Sequence, residues 1–154
     1  MRILIGLAVL LVLLVLAVIG AGVYFRNVSM PAETWHVDPA TVTPPASPNY
    51  ELRLGDRAPV FDAAPDVMAA RIDAVATAEG AVLIGGAVAE GHMTYVVRSR
   101  LMGYPDAISV KLVPVAQGTR VEIYSRARFG YSDMGVNAAR VDRWISRARG
   151  MTSP

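Results

Sequence analysis

The period of hydrophobic and polar positions changes several times along the chain, and each change marks an element. Ile3–Phe25 is an unbroken run of 23 apolar or small residues, with Arg2 before it and Arg26 directly after. As a helix rising about 1.5 Å per residue, it is long enough for a hydrocarbon core of roughly 30 Å. Further on, Ala64, Met68, Ile72 and Val75 recur at helical spacing. Asp62 and Pro65 open that helix and Gly80 stops it, which predicts a helix over 64–79. Four strand-like segments follow. The stretch 81–88 is apolar but holds Gly85-Gly86, which predicts a bulge. In 94–101, Tyr95, Val97, Ser99 and Leu101 alternate with Arg98 and Arg100, and Gly103-Tyr104-Pro105-Asp106 is a turn signal. In 107–115, Ile108, Val110 and Leu112 oppose Ser109, Lys111 and Val113. In 119–129 the alternation is cleanest, with Val121, Ile123 and Ser125 against Arg120, Glu122, Tyr124, Arg126 and Arg128. A last helix over 134–149, capped by Ser132-Asp133, carries Met134, Ala138, Val141, Ile145 and Ala148 as one stripe. Short turns between consecutive strands favour antiparallel pairing. The predicted fold is α+β: an N-terminal transmembrane helix, then a small antiparallel four-stranded sheet with two helices packed on one face.

The apolar run exceeds the 7–15 residues of a signal-peptide core, so an uncleaved anchor is expected, with Tyr24 and Phe25 at an interface. Arg2 and the α-amino group before the run, against Arg26 followed by Glu33 and Asp38, favour a cytoplasmic N-terminus and an exported domain. From Asn27 to Asp62 there are six prolines among polar and small residues. Proline removes amide donors and fixes φ, so this segment reads as an extended stalk, though Trp35, Tyr50 and Leu52 are costly to leave in water. The expected division is an anchor over 1–26, a stalk over 27–62 and one domain over 63–150.

Charge changes the picture more than composition does. Between Arg26 and Val97 there are four arginines against nine acids; from Arg98 onward there are nine arginines and Lys111 against four acids. On the alternation above, Arg98, Arg100, Lys111, Arg120, Arg126 and Arg128 share the sheet face opposite the apolar residues, with Glu122 as the one acid among them. Guanidinium groups suit carboxylate and phosphate, so this face is a candidate anion-binding surface. The plainer account is a solvated sheet face carrying ordinary charge. Arg140, Arg143 and Arg147 form a second stripe, on the last helix. The remaining candidates read as structural. His36 and His92, far apart in sequence and without cysteine, read as surface or turn residues. Asp106 reads as a turn acid, Ser132-Asp133 as a helix cap and Trp144 as packing. No metal site, cofactor or catalytic residue is expected.

Two blocks carry a resemblance. Arg98-Ser99-Arg100-Leu101-Met102-Gly103-Tyr104-Pro105-Asp106 and Ser125-Arg126-Ala127-Arg128-Phe129-Gly130-Tyr131-Ser132-Asp133-Met134-Gly135-Val136-Asn137 resemble domain of unknown function 1499. Ala58-Pro59-Val60-Phe61 and Glu90-Gly91-His92 resemble its form in alphaproteobacterial envelopes. The resemblance implies a single domain, often behind a membrane segment, and brings no established activity. It marks Arg126, Arg128, Ser132, Asp133, Gly135 and Asn137 as a unit where a strand turns into a helix, a place suited to an anion. The expectation is a single-pass protein of a bacterial inner membrane with a periplasmic domain, held in lipid by residues 3–25. Its anion-binding set would be Arg98, Arg100, Lys111, Arg126, Arg128, Ser132, Asp133 and Asn137, contacting a lipid headgroup or an acidic polymer. The alternatives are an assembly subunit docking on an acidic partner protein, and an enzyme with Asp133 as base and Arg126 and Arg128 as clamps. Nucleic acid is not expected of an exported domain without a binding motif.

Overall fold

The structure is a computed structural model that describes residues 1–151. Helix α1 (Arg2–Asn27) is long and apolar enough to cross a membrane, with a mean hydropathy of 3.3 in its most apolar window. A short helix α2 (Ala32–Trp35) follows, then β1 (Tyr50–Arg53), β2 (Val60–Phe61), α3 (Pro65–Ala78), β3 (Val82–Ala87), β4 (His92–Arg98), β5 (Pro105–Val115), β6 (Gly118–Ala127) and α4 (Val136–Gly150). The sheet is antiparallel in the order β1-β6-β5-β4-β3, and β2 also pairs with β6.

The four expected strands and both helices lie within three residues of their expected limits. The sheet has six strands rather than four. The two extra strands come from residues 27–62, the segment expected to be an extended stalk. They are four and two residues long, too short for alternation to show. That segment also buries Met30, Asn49, Ala58 and Phe61. Its prolines sit where proline is tolerated: Pro31 precedes the first turn of α2, and Pro59 lends only its carbonyl, to the Val121 amide.

Helices α3 and α4 cover one sheet face. Met68, Ile72 and Val75 from α3 and Val141, Trp144 and Ala148 from α4 meet Tyr95, Ile108, Val110, Val121 and Ile123. Trp144, read as packing, is fully buried in this core, edge-on to Tyr95 with centroids 5.8 Å apart. Its indole N–H donates to Glu79 at 3.1 Å, and the Tyr95 hydroxyl donates to Asp73 at 2.9 Å. Burial and the Asp73 carboxylate push the Tyr95 hydroxyl far above its ordinary value. Residues 28–38 cross the other sheet face as a strap, with Met30 packed on Val96 and Ala107 beside Trp35 and Ile84. The expected bulge in β3 is present, as a register shift between Leu83 and Gly85. The last helix starts two residues late. Met134 and Gly135 take left-handed backbone conformations (φ +53° and +81°), which leaves Met134 in solvent rather than in the apolar stripe.

Candidate functional site

Register decides which cations meet. Across the sheet, Val96 pairs with Ala107 and Ala107 with Arg126; His92 pairs with Lys111 and Lys111 with Glu122. Side chains alternate, so Arg98, Lys111, Arg120 and Arg126 do share the face away from the helices. Arg128 follows one step beyond β6. Arg100 does not join them: it lies in the exposed turn after β4.

This face is not open to solvent along its length. The strap lies over it, and the cations hold the strap. Arg98 donates from Nη1 to the Phe25 carbonyl (2.5 Å) and from Nη2 to the Val28 carbonyl (2.7 Å). Arg128 donates to the Ser29 carbonyl. Arg126 donates to the Trp35 carbonyl at 2.8 Å, with its guanidinium carbon 5.0 Å from the Trp35 ring centroid and 4.7 Å from that of Tyr124. Lys111 pairs with Asp38, and Arg120 with Glu122. Burial pulls the Arg126 guanidinium below its ordinary value, against the opposing influence of Tyr124. Burial, then the neighbouring Arg128 charge, does the same to Arg98. Both stay cationic at neutral pH.

The sheet therefore grips the end of α1. The last carbonyls of a helix lack intrahelical partners and carry about half a negative charge between them, which a guanidinium satisfies. The grip is reciprocal. Arg26 donates to the carbonyls of Arg100 (3.2 Å) and Leu101 (2.6 Å). Phe25 packs between Tyr104 (centroids 4.2 Å apart) and Phe129 (5.1 Å). Gly103 is needed here: its φ is +79°, and a Cβ on it would fall 2.2 Å from Arg26 Cγ.

A second group lies deeper under the strap. His36 and His92 stack with ring centroids 4.1 Å apart. His36 Nδ1 is 2.9 Å from Thr94 Oγ1, and His92 Nε2 donates to the Val37 carbonyl at 3.1 Å. Burial, then the His92 charge, lowers the His36 pKa, while Glu90 works the other way. Gly85 and Gly86 leave room for this ring; a Cβ on Gly85 would lie 2.7 Å from His36 Cβ. Nothing in the sequence pairs these histidines, because their contact exists only once the strap has folded back.

Ser132, Asp133 and Asn137 lie apart from the strapped face. Asp133 accepts from the Gly135 amide (3.0 Å), the Asn137 amide (2.8 Å) and Asn137 Nδ2 (2.7 Å). Partial burial raises its pKa, but these bonds outweigh that and hold it below the ordinary value. Ser132 Oγ accepts from the Met134 amide. Asn137 is fully buried, on the helix side of the sheet, and accepts from Ser125 (2.5 Å) and Arg140 (2.7 Å). Arg140 also donates to Asp106 at 2.7 Å. Two expectations change here. Asp106 is a buried strand residue, not a turn acid; burial raises its pKa against the opposing pull of Arg140. Arg140 points inward, and only Arg143 and Arg147 remain as the surface stripe, both bound to Glu79. Among the described residues, no three His, Asp or Glu side chains group as a metal ion would require.

Both motif blocks grip the end of α1 and the strap, the first through Arg98 and Tyr104 and the second through Arg126, Arg128 and Phe129, and the second also ties the start of α4 to the sheet. Over residues 31–147 the chain matches the family described as "Protein of unknown function (DUF1499)". The chain belongs to that family. The DUF1499 match begins at Pro31, so it takes in most of the strap and both short strands. A search among curated proteins finds no match.

Proposed function

We propose that the chain is a single-pass protein of a bacterial inner membrane, with its N-terminus cytoplasmic. Its periplasmic domain is fixed at the membrane surface, where it meets anionic lipid headgroups. The observation that carries this reading is the pair of bonds from Arg98 to the Phe25 and Val28 carbonyls. They leave the domain no free tether and hold its cationic end level with the end of α1. Arg26, Arg98, Arg100 and Arg128 gather there, and burial, then the neighbouring Arg128 charge, lowers the Arg98 pKa. A basic residue near an anionic leaflet contributes about 1 kcal/mol of attraction. The ligand surface is thus narrower than the whole sheet face, since Arg126 and Lys111 are drawn to Trp35 and Asp38, further along the strap from the end of α1.

The enzyme reading has less support. Asp133 and Arg126 lie on opposite sides of the sheet, and both Asp133 oxygens already accept hydrogen bonds. Docking on an acidic partner has less support too, because the stripe that would carry it already holds Glu79.

The test is native mass spectrometry of the full chain released from nanodiscs of mixed phosphatidylglycerol and phosphatidylethanolamine. Retained lipid should be enriched in phosphatidylglycerol, and Arg100→Ala with Arg128→Ala should cut that enrichment several-fold. Adducts that mirror the bulk lipid ratio would overturn the reading. A C-terminal reporter active only outside the cytoplasm checks the orientation.

A further inference from the structure

We infer that the turn 99–104 and the loop 129–136 form an apolar foot that enters the headgroup layer of the bilayer beside α1. The inference rests on the reading that α1 spans the membrane, and it adds a second, non-helical contact with lipid.

Level is the first argument. Gly22 is the one buried residue of α1, and a Cβ built on it would lie 4.0 Å from the Met102 carbonyl oxygen. At 1.5 Å rise per residue, that places Met102 about 7 Å short of the end of α1 at Asn27. The apolar run itself continues to Phe25. A helix that is in lipid as far as Phe25 therefore carries the turn beside it into the interfacial layer. The loop 129–136 leaves the same end of the sheet, since Arg98 pairs with Pro105 and Asp106 with Ala127. Its first residue, Phe129, packs on both Tyr24 and Phe25.

Chemistry is the second argument. On the C-terminal side of α1, the most exposed large hydrophobic side chains among the described residues are Met134 (92%), Leu101 (83%) and Tyr131 (75%). All three are on these two segments. Tyr104 and Tyr131 add rings of the kind enriched at membrane interfaces. Arg100 supplies a cation, and the one acid on either segment, Asp133, is occupied by its own turn.

The backbone is the third. Unpaired amides and carbonyls are expensive where water is scarce. In this turn the Ser99 amide donates to the Tyr104 carbonyl (2.9 Å) and the Gly103 amide to the Ser99 carbonyl (2.9 Å). The Tyr104 amide is taken by Ser99 Oγ (2.9 Å), and Arg26 covers the Arg100 and Leu101 carbonyls. At the tip the Leu101 side chain stands out into solvent.

Because the sequence has no cysteine, single labels are unambiguous. Nitroxides are placed on full-length Leu101→Cys and Met134→Cys, on Gln117→Cys at the opposite end of the sheet, and on Leu14→Cys inside α1. Each is read in phosphatidylglycerol-containing nanodiscs as the ratio of collisions with oxygen to collisions with a water-soluble nickel chelate. The expected ratios at 101 and 134 are several-fold above that at 117 and below that at 14. Ratios at 101 or 134 equal to that at 117, with 14 still lipid-immersed, would overturn the foot while leaving the anchor standing. A water-like ratio at 14 would overturn the anchor, and the foot with it.

Discussion

At the scale of single residues, His36 is the side chain whose protonation bears most directly on the strap. Its folded pKa is lowered from the ordinary 6.5 by burial and by the stacked His92, with Glu90 in opposition; Asp38 and Lys111 are the other charges nearby. The sign follows from linkage. The unfolded chain binds the proton first, so stability is full above about 6.5, declines as pH falls below it, and stops declining once the folded pKa is passed. Denaturation midpoints should therefore be lower at pH 5.5 than at pH 7.5, with Trp35 emission reporting release of the strap. In His36→Gln the difference between the two pH values should shrink. An unchanged difference would remove His36 as the cause. Asp38 responds only in more acid solution: the Lys111 bond holds its pKa below the ordinary 3.8, so its contribution is lost as pH falls through the carboxylate range.

At the scale of elements, the packing of α4 on the sheet rests on Asn137 as much as on Trp144. Replacing Asn137 with alanine strips partners from Ser125, Arg140 and Asp133 together. Each buried group left unpaired costs about 1–3 kcal/mol. Asn137→Ala should lower stability by several kcal/mol, close to the 3–5 kcal/mol expected for Trp144→Ala. Urea denaturation compares the two; a near-neutral Asn137→Ala would mean that water substitutes for the amide. These elements were also the most legible in the sequence. Periods of two and of three-to-four are imposed by burial on one side, and β5, β6, α3 and α4 are buried on one side by each other. β1 and β2 were not legible, because their four and two residues lie among prolines and show no period. The inward turn of Arg140 was hidden too, since a helix stripe of arginines looks alike whether its first member finds Asp106 or water. The site divides in the same way. That Arg98, Lys111 and Arg126 share a face was readable from alternation. That the chain covers its own cationic face was not, because the bonds concerned join residues 70 to 99 positions apart.

At the scale of the whole molecule, α1 and the sheet behave as one lever. Charged hydrogen bonds contribute about 1.5–3 kcal/mol each, and Arg98 supplies two of them to the end of α1. Arg98→Ala with Arg128→Ala should free the junction without unfolding the sheet. Amide hydrogen exchange of residues 26–30 should rise steeply, while that of 107–112 and 120–125 stays near wild type. Equal rates at the junction would show that the aromatic cluster around Phe25 suffices to hold it.

The strap has a consequence for biogenesis. A ribosome delivers residues 28–38 directly after the hydrophobic helix, yet the groups that fasten them, from Arg98 to Arg128, emerge some 60 to 100 residues later. During synthesis Trp35, Met30 and His36 wait uncovered for a seat that does not yet exist. Closure of that seat accordingly waits until Arg128 has emerged, and a chain interrupted before Arg126 would be left with its leading segment adrift.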